Sequence, residues 1–171
     1  MNIIQELENI RSEILMTDAK LKKLIVKLSN HDNLIETRSA ANFETVYPIN
    51  INPAVFKGKK PTAVLFGEER MEVHSWKAVA EVIIKRCNKD AEKHVSLMNL
   101  RDKIFGRDRV LLSKDEEGMH NPVKIAENLY AETHYDAESL MRIVLTRILD
   151  AVDYDYSNIS VSARNANPRR G

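Results

Sequence analysis

Residues 129–163 read LYAETHYDAESLMRIVLTRILDAVDYDYSNISVSA, and this stretch sets the fold class. Leu129, Ala131 and Thr133 alternate with Tyr130, Glu132 and His134, the two-residue period of a strand with one dry face. Asp136 carries the short carboxylate that accepts N–H groups in a helix's first turn, so a helix is expected to begin there. Leu140, Ile143, Val144, Ile148 and Val152 then fall three or four apart, widened by Met141, Leu145 and Leu149 into one apolar stripe. After a turn at Asp153–Asn158, Ile159, Val161 and Ala163 alternate with Ser160, Ser162 and Arg164 as a second strand. The unit reads as βαβ. It is scaffold and carries no chemistry of its own.

Working outward, Ala63–Phe66 and Met71–His74 read as a β-hairpin with a loop of about three residues at Gly67–Glu69. Ser75 caps a helix from Trp76 to about Cys87, with Val79, Ala80, Ile83 and Ile84 inward. Asn88–Asp90 breaks it, and Ala91–Ile104 reads as a second helix with Val95, Met98, Leu100 and Ile104 in the core. Arg109–Leu112 and Pro122–Ile125 read as strands around the polar loop Ser113–Asn121. The expected fold class is α+β: an N-terminal coiled-coil helix, then one compact domain with a β-hairpin, two short helices and a C-terminal βαβ unit.

The N-terminal helix announces itself by spacing. Ile3, Leu7, Ile10, Ile14, Thr17, Leu21, Leu24 and Leu28 recur four, three, four, three apart, the seam of a left-handed coiled coil. Charges of both signs flank it: Glu6, Glu8, Glu13, Lys20, Lys22 and Lys27. Self-association through Ile3, Leu7, Ile10, Ile14, Leu21, Leu24 and Leu28 is expected; the alternative is an amphipathic helix folded back on its own domain. Thr17–Asp18 also has the chemistry to start a separate helix. The Asn- and Thr-rich run after residue 30, followed by Pro48 and Pro53, reads as a linker. The expected organisation is a coiled-coil helix over 1–30, a linker over 31–52, a binding domain over 53–164 and a disordered tail over 165–171.

An apolar fraction of 43% supports a sizeable core, and no apolar run reaches the ~20 residues that span a bilayer. No membrane partner is expected. Glu6 and Glu8 stand where a secretory leader would be apolar, and Cys87 is the only cysteine, so the expected compartment is the cytoplasm of a bacterium. The net charge of +1 hides an asymmetry. Residues 51–110 hold 13 basic against 8 acidic side chains, and residues 111–156 hold 4 against 10. A bipolar surface suits a polyanion on one side and a basic partner on the other.

Catalytic signatures are missing from the sequence. His31, His74, His94, His120 and His134 never approach metal-ligand spacing with one another or with Cys87, so no metal and no cofactor is expected. No Gly-rich phosphate loop and no nucleophile elbow occurs. Glu132 and His134, two apart on one strand face, are a conceivable acid/base pair, but a wet strand face is the better reading. No catalytic residue is assigned, and the chain is not expected to be an enzyme.

The stronger signal is basic. Lys57, Lys59 and Lys60 precede the first strand of the hairpin. Lys85 and Arg86 end the first helix, and Arg101, Lys103, Arg107 and Arg109 follow the second. Two short helices with positive charge on the second have the outline of a helix-turn-helix. These nine side chains form the candidate nucleic-acid surface, holding phosphates with salt-sensitive affinity.

From Pro61 to Val161 the chain carries Gly67, the run Glu72-Val73-His74-Ser75-Trp76-Lys77, Leu100-Arg101, the Arg107–Leu112 strand before Ser113, Leu129-Tyr130-Ala131-Glu132-Thr133 and Asp153-Tyr154. In these it resembles a small α/β module of unassigned activity. That module is fused to restriction-type endonucleases and other defence-associated bacterial proteins, or stands alone in short proteins of Firmicutes mobile elements. The resemblance covers about 100 of 171 residues and implies a domain that accompanies nucleic-acid enzymes without performing the catalysis. The expected function is therefore a non-catalytic, oligomeric binding module contacting nucleic acid. The alternative is a protein–protein adaptor or inhibitor acting through Glu116, Glu117, Asp150, Asp153 and Asp155.

Overall fold

The computed structural model describes residues 3–34 and 44–166, with side chains for 3–25 and 44–166. The chain divides into two units, residues 1–40 and 41–171.

The first unit is one helix, α1 (Ile3–Leu34). Its 32 residues make it about 48 Å long at 1.5 Å per residue. It passes through Thr17 without a break. The Thr17 hydroxyl donates to the Glu13 carbonyl (2.8 Å), which satisfies it within the helix. The helix also runs past residue 30, the expected end, through Asp32 and Asn33 to Leu34, because moderate propensity costs at single positions do not stop a helix. Ile3, Leu7, Ile10, Ile14, Leu21 and Leu24 lie exposed along it; Leu28 lies outside the described side chains.

The second unit is the expected α+β domain, built from two antiparallel sheets. Its elements are β1 (Thr45–Pro48), a 3₁₀ turn (Pro53–Phe56), β2 (Lys59–Phe66), β3 (Glu69–Glu72), α2 (Trp76–Asn88), α3 (Ala91–Leu100), β4 (Leu112–Ser113), β5 (Pro122–Ala126), β6 (Leu129–Glu132), α4 (Ala137–Ile143) and β7 (Ile159–Asn165). One sheet has the order β1-β7-β2-β3 and the other β4-β6-β5.

Three expectations are corrected. Residues 45–52 are not linker: β1 pairs with β7 from Thr45↔Ala163 to Pro48↔Ser160, and Ile49 is fully buried. Residue 165 is not tail, because Asn165 pairs with Lys59 across the sheet and accepts a hydrogen bond from its ammonium; the rest of the expected tail, residues 167–171, lies outside the described residues. The strand–helix–strand run is no βαβ unit. β6 and β7 belong to different sheets, and every pairing is antiparallel.

Local chemistry places the helices as expected. Ser75 and Asp136 cap α2 and α4, accepting from the N–H groups of Ala78 and Ser139. The β2–β3 turn is tighter than expected, two residues, with Gly67 at φ +62°. α3 ends at Leu100, four residues short of the reading, and it buries Leu97 while Val95 stays 57% exposed. Ten residues hold too few turns for periodicity to identify the inner face.

α2 packs against β2 of one sheet and β5 of the other, so a single core lies between the sheets. Phe56 anchors one end, fully buried between Tyr47 and Trp76 with ring centroids 5.7 and 5.0 Å away. α4 closes the core. Its buried pair Leu140/Met141 and, in the π and 3₁₀ turns that continue it to Val152, Val144/Leu145, Ile148/Leu149 and Val152 repeat every four residues. At 3.6 residues per turn such a stripe drifts about 40° per step around a straight α-helix. From Val144 to Leu149 the helix widens into a π turn, which takes fewer degrees per residue and returns the stripe to the core.

Candidate functional site

The widened helix leaves an outward face made of Ser139, Arg142, Ile143, Thr146 and Arg147. Facing it is the tip of a small hairpin. Phe105 bridges Val110, the Leu111 N–H reaches the Ile104 carbonyl (2.9 Å), and the Gly106 N–H reaches the Arg109 carbonyl (2.8 Å). This tight ladder presents Arg107, Asp108 and Arg109 at its end. His134, Tyr135 and Asp136, the segment between β6 and α4, complete a cleft of 680 Å³. That volume is within the range of small-molecule sites.

Four arginines converge on this cleft: Arg107, Arg109, Arg142 and Arg147. Arg142 pairs with Glu138 along the helix (2.5 Å). The other three have no carboxylate within ion-pair distance among the described residues. The two acids in the lining do not balance them. Asp136 accepts both the N–H and the hydroxyl of Ser139 (2.9 Å each), bonds that hold its carboxyl below its ordinary range. Asp108 stands exposed between the two hairpin arginines. Planar guanidinium groups converging on one space match the paired oxygens of a phosphate better than ammonium groups would.

The back of the cleft is held rigidly. Tyr135 is half-buried. Burial first, and then the charge of Glu132, push its hydroxyl above its ordinary value, against the pull of Arg109. Gly106 lies against that hydroxyl: a Cβ there would overlap the Tyr135 oxygen and stand 3.2 Å from a Leu111 methyl. Gly106→Ala should therefore cost about 1–2 kcal/mol in chemical denaturation and push the ring toward the arginines. An unchanged denaturation midpoint would show that the ring yields without cost.

Glu132 is the buried support. It is 2% exposed, and its carboxylate accepts the backbone N–H groups of His120 (2.6 Å), Asn121 (3.0 Å) and His134 (2.9 Å). Burial alone would raise its pKa, but these bonds together hold it below the ordinary value of 4.5. It is thus neither on a wet strand face nor an acid/base partner. Its oxygens are occupied by backbone, and its work is to join the Gly118–Asn121 loop to the back of the cleft. The His120 and His134 rings lie 5.4 Å apart. Among the described residues no group of three or more His, Cys, Asp or Glu stands together.

The nine basic residues singled out from the sequence are dispersed. Only Arg107 and Arg109 line the cleft. Lys85 pairs with Glu81 (2.6 Å), and Arg86 pairs with Glu69 (2.6 Å) over the Phe66 ring. Arg101 donates to the Met98 and Asn128 carbonyls (2.8 Å each) and so fastens α3 to the β5–β6 turn. Because α3 stops at Leu100, Arg101 and Lys103 follow it in a turn, and the charged second helix of a helix-turn-helix is not there. Lys103 is exposed beside Arg101 and Lys114. Lys59 bonds Asn165 and lies 5.6 Å from the Tyr47 ring centroid, while Lys57 and Lys60 are exposed at the start of β2. Of the acidic group, Asp150 accepts the Tyr156 hydroxyl and Asp155 accepts the Ser157 N–H, both local turn bonds.

Sequence reasoning missed Arg142 and Arg147. Both lie in the segment counted as acidic and fall between the residues of the apolar stripe. The usable signal was their position beside Ser139 and Thr146 on one face. Compared with known proteins, the chain matches no family model, no curated relative and no solved structure.

Proposed function

We propose that this chain is a non-catalytic, self-associating nucleic-acid-binding module whose phosphate-holding ground is the arginine cleft. The observation that carries the reading is the convergence of Arg107, Arg109, Arg142 and Arg147 on one space, three of them without a carboxylate partner among the described residues. Guanidinium groups lining one cleft repel one another, and a bound polyanion relieves that repulsion. The cleft is open and takes a phosphodiester strand as readily as a free phosphate. Two or more copies joined through α1 would raise a modest single-site affinity by avidity. The resemblance over Pro61–Val161 supports a role beside nucleic-acid enzymes in bacterial defence or mobile-element biology. No described helix is long and apolar enough to cross a membrane.

The test is fluorescence anisotropy of labelled single-stranded and duplex oligonucleotides, DNA and RNA, with the full chain over a salt series. The expected result is saturable binding that weakens steeply with salt, the slope counting the phosphates held. Absence of binding at low salt would refute the reading.

A further inference from the structure

The charges beside the seam of α1 are arranged with a direction. With Leu7, Ile14 and Leu21 at the a positions of the heptad, Ile3, Ile10, Thr17 and Leu24 fall at d. The g positions before each a then hold Glu6, Glu13 and Lys20, and the e positions after each d hold Ile4, Arg11, Asp18 and Ile25. The sign changes from acidic to basic along g and from basic to acidic along e. In a parallel pair, g meets the e five residues later, so Glu6 would face Arg11 of the partner subunit favourably but Glu13 would face the partner's Asp18, and the attractive and repulsive pairs offset each other. In an antiparallel pair, g meets g and e meets e. Glu13 then faces Lys20 of the partner subunit, Arg11 faces the partner's Asp18, and Ile4 faces the partner's Ile25.

The same register completes the seam. Leu7 packs on Leu24 of the partner subunit, Ile10 on the partner's Leu21, and Ile14 on the partner's Thr17. The weak seam residue thus meets an isoleucine and not its own copy. Its hydroxyl is already bonded to the Glu13 carbonyl, so it offers the seam its methyl group. Asp18 also pairs with Lys22 on its own helix (2.8 Å), so the directional weight rests on Glu13 and Lys20. Ile10, Leu21 and Leu24 are 53%, 54% and 55% exposed, leaving apolar area for a second helix to cover.

We infer that two copies of this chain pair through α1 in antiparallel orientation, with Glu13 of each facing Lys20 of the other. This rests on the self-association named under the proposed function and adds its geometry. Leu34 of one copy and Leu34 of the partner subunit would then stand at opposite ends of the rod, about 55 Å apart at 1.5 Å per residue. A parallel pair would place both at one end.

Two measurements on the full-length chain decide it. The first mixes a Leu7→Cys chain with a Leu24→Cys chain under mild oxidation. Cys87 stays out of the reaction, being buried with its thiol pushed up to about 12 by that burial. Antiparallel pairing predicts mixed Leu7→Cys/Leu24→Cys disulfides and none within either variant, because like positions would stand roughly 25 Å apart along the rod. Disulfides within each variant alone would show parallel pairing and overturn the orientation while leaving self-association intact. The second is sedimentation equilibrium. Glu13→Lys should weaken the dimer about tenfold, and adding Lys20→Glu should restore it. A Glu13→Lys chain that dimerises more tightly would point to the parallel arrangement. A wild-type chain that stays monomeric at 100-fold the protein concentration used in the binding assay, roughly tens of micromolar, would overturn both the pairing and the self-association beneath it. The arginine cleft would be untouched, because its binding is measured separately.

Discussion

Reversing the charge of Arg107, Arg109 and Arg147 together should abolish nucleic-acid binding at moderate salt, a loss on the order of 100-fold or more, with little effect on folding. The three are chosen because none has a carboxylate partner among the described residues, so their substitution leaves no buried charge behind. Arg107 and Arg147 are exposed. The hairpin bond at Arg109 is made by its backbone carbonyl and survives the change. If each arginine neutralises about one phosphate, the dependence of log affinity on log salt should flatten by two to three for duplex DNA. The informative control is Lys85→Glu with Arg86→Glu. Those cations belong to the basic run that the sequence singled out, yet each already faces a glutamate. Surface pairs of this kind are worth little and are screened, so the control should lose less than the cleft variant by tenfold or more. Equal losses would return the phosphate contacts to a diffuse basic face, and unchanged binding in the cleft variant would remove the site.

The contrast between the two variants shows what a linear reading reaches. Strands and caps are local, and they were legible: the alternation over 129–133 and 159–163, the capping oxygens of Ser75 and Asp136, the glycine turn at Gly67. Pairing partners are not local. Nothing in the pattern of Leu129–Glu132 says that it joins Leu112–Ser113 and Pro122–Ala126 while Ile159–Asn165 joins the other sheet. β1 escaped for a related reason. It is a four-residue edge strand ending at Pro48, hydrogen-bonded on one side only, and its proline looks like a linker residue until β7 is beside it.

The cleft was half legible. A count of charge along the chain separates Arg107 and Arg109 from Arg142 and Arg147 by 33 to 40 positions and assigns the latter pair to an acidic half. The fold joins them because α4 follows directly on the His134–Asp136 segment, which turns the helix's polar face toward the hairpin tip. Glu132 was misread for the opposite reason. Period-two alternation placed it with Tyr130 on the wet face, where a carboxylate at the end of a strand belongs unless three backbone N–H groups wait for it. Those donors come from Asn121 and His120 on one side and His134 on the other, and no local pattern brings the first two near.

Replacing that carboxylate should therefore be among the most destabilising single changes in the domain. Glu132→Ala leaves three backbone N–H groups without an acceptor in a site only 2% exposed, and buried donors to a lost charged partner cost about 3–5 kcal/mol together. The midpoint of thermal unfolding should fall by roughly 10 °C or more. Glu132→Gln keeps the shape but turns amide hydrogens toward N–H donors, so it should recover little. The pH dependence gives a second check with a definite sign. The folded-state pKa of Glu132 lies below its ordinary 4.5, so its ionised form stabilises the fold. That stabilisation is complete above the ordinary value and lost as pH falls through the folded value. Wild type and Glu132→Gln should differ fully at pH 7 and converge as the solution is acidified below 4.5. A difference that stayed constant across that range would mean that the carboxylate acts by shape alone. Because its donors include the N–H of His134 at the back of the cleft, the same variant at a temperature where it remains folded should also bind oligonucleotide less tightly than wild type. The arginine variant predicts the reverse pattern, binding lost with stability kept, and the two together separate a side chain that touches phosphate from one that holds the touching groups in place.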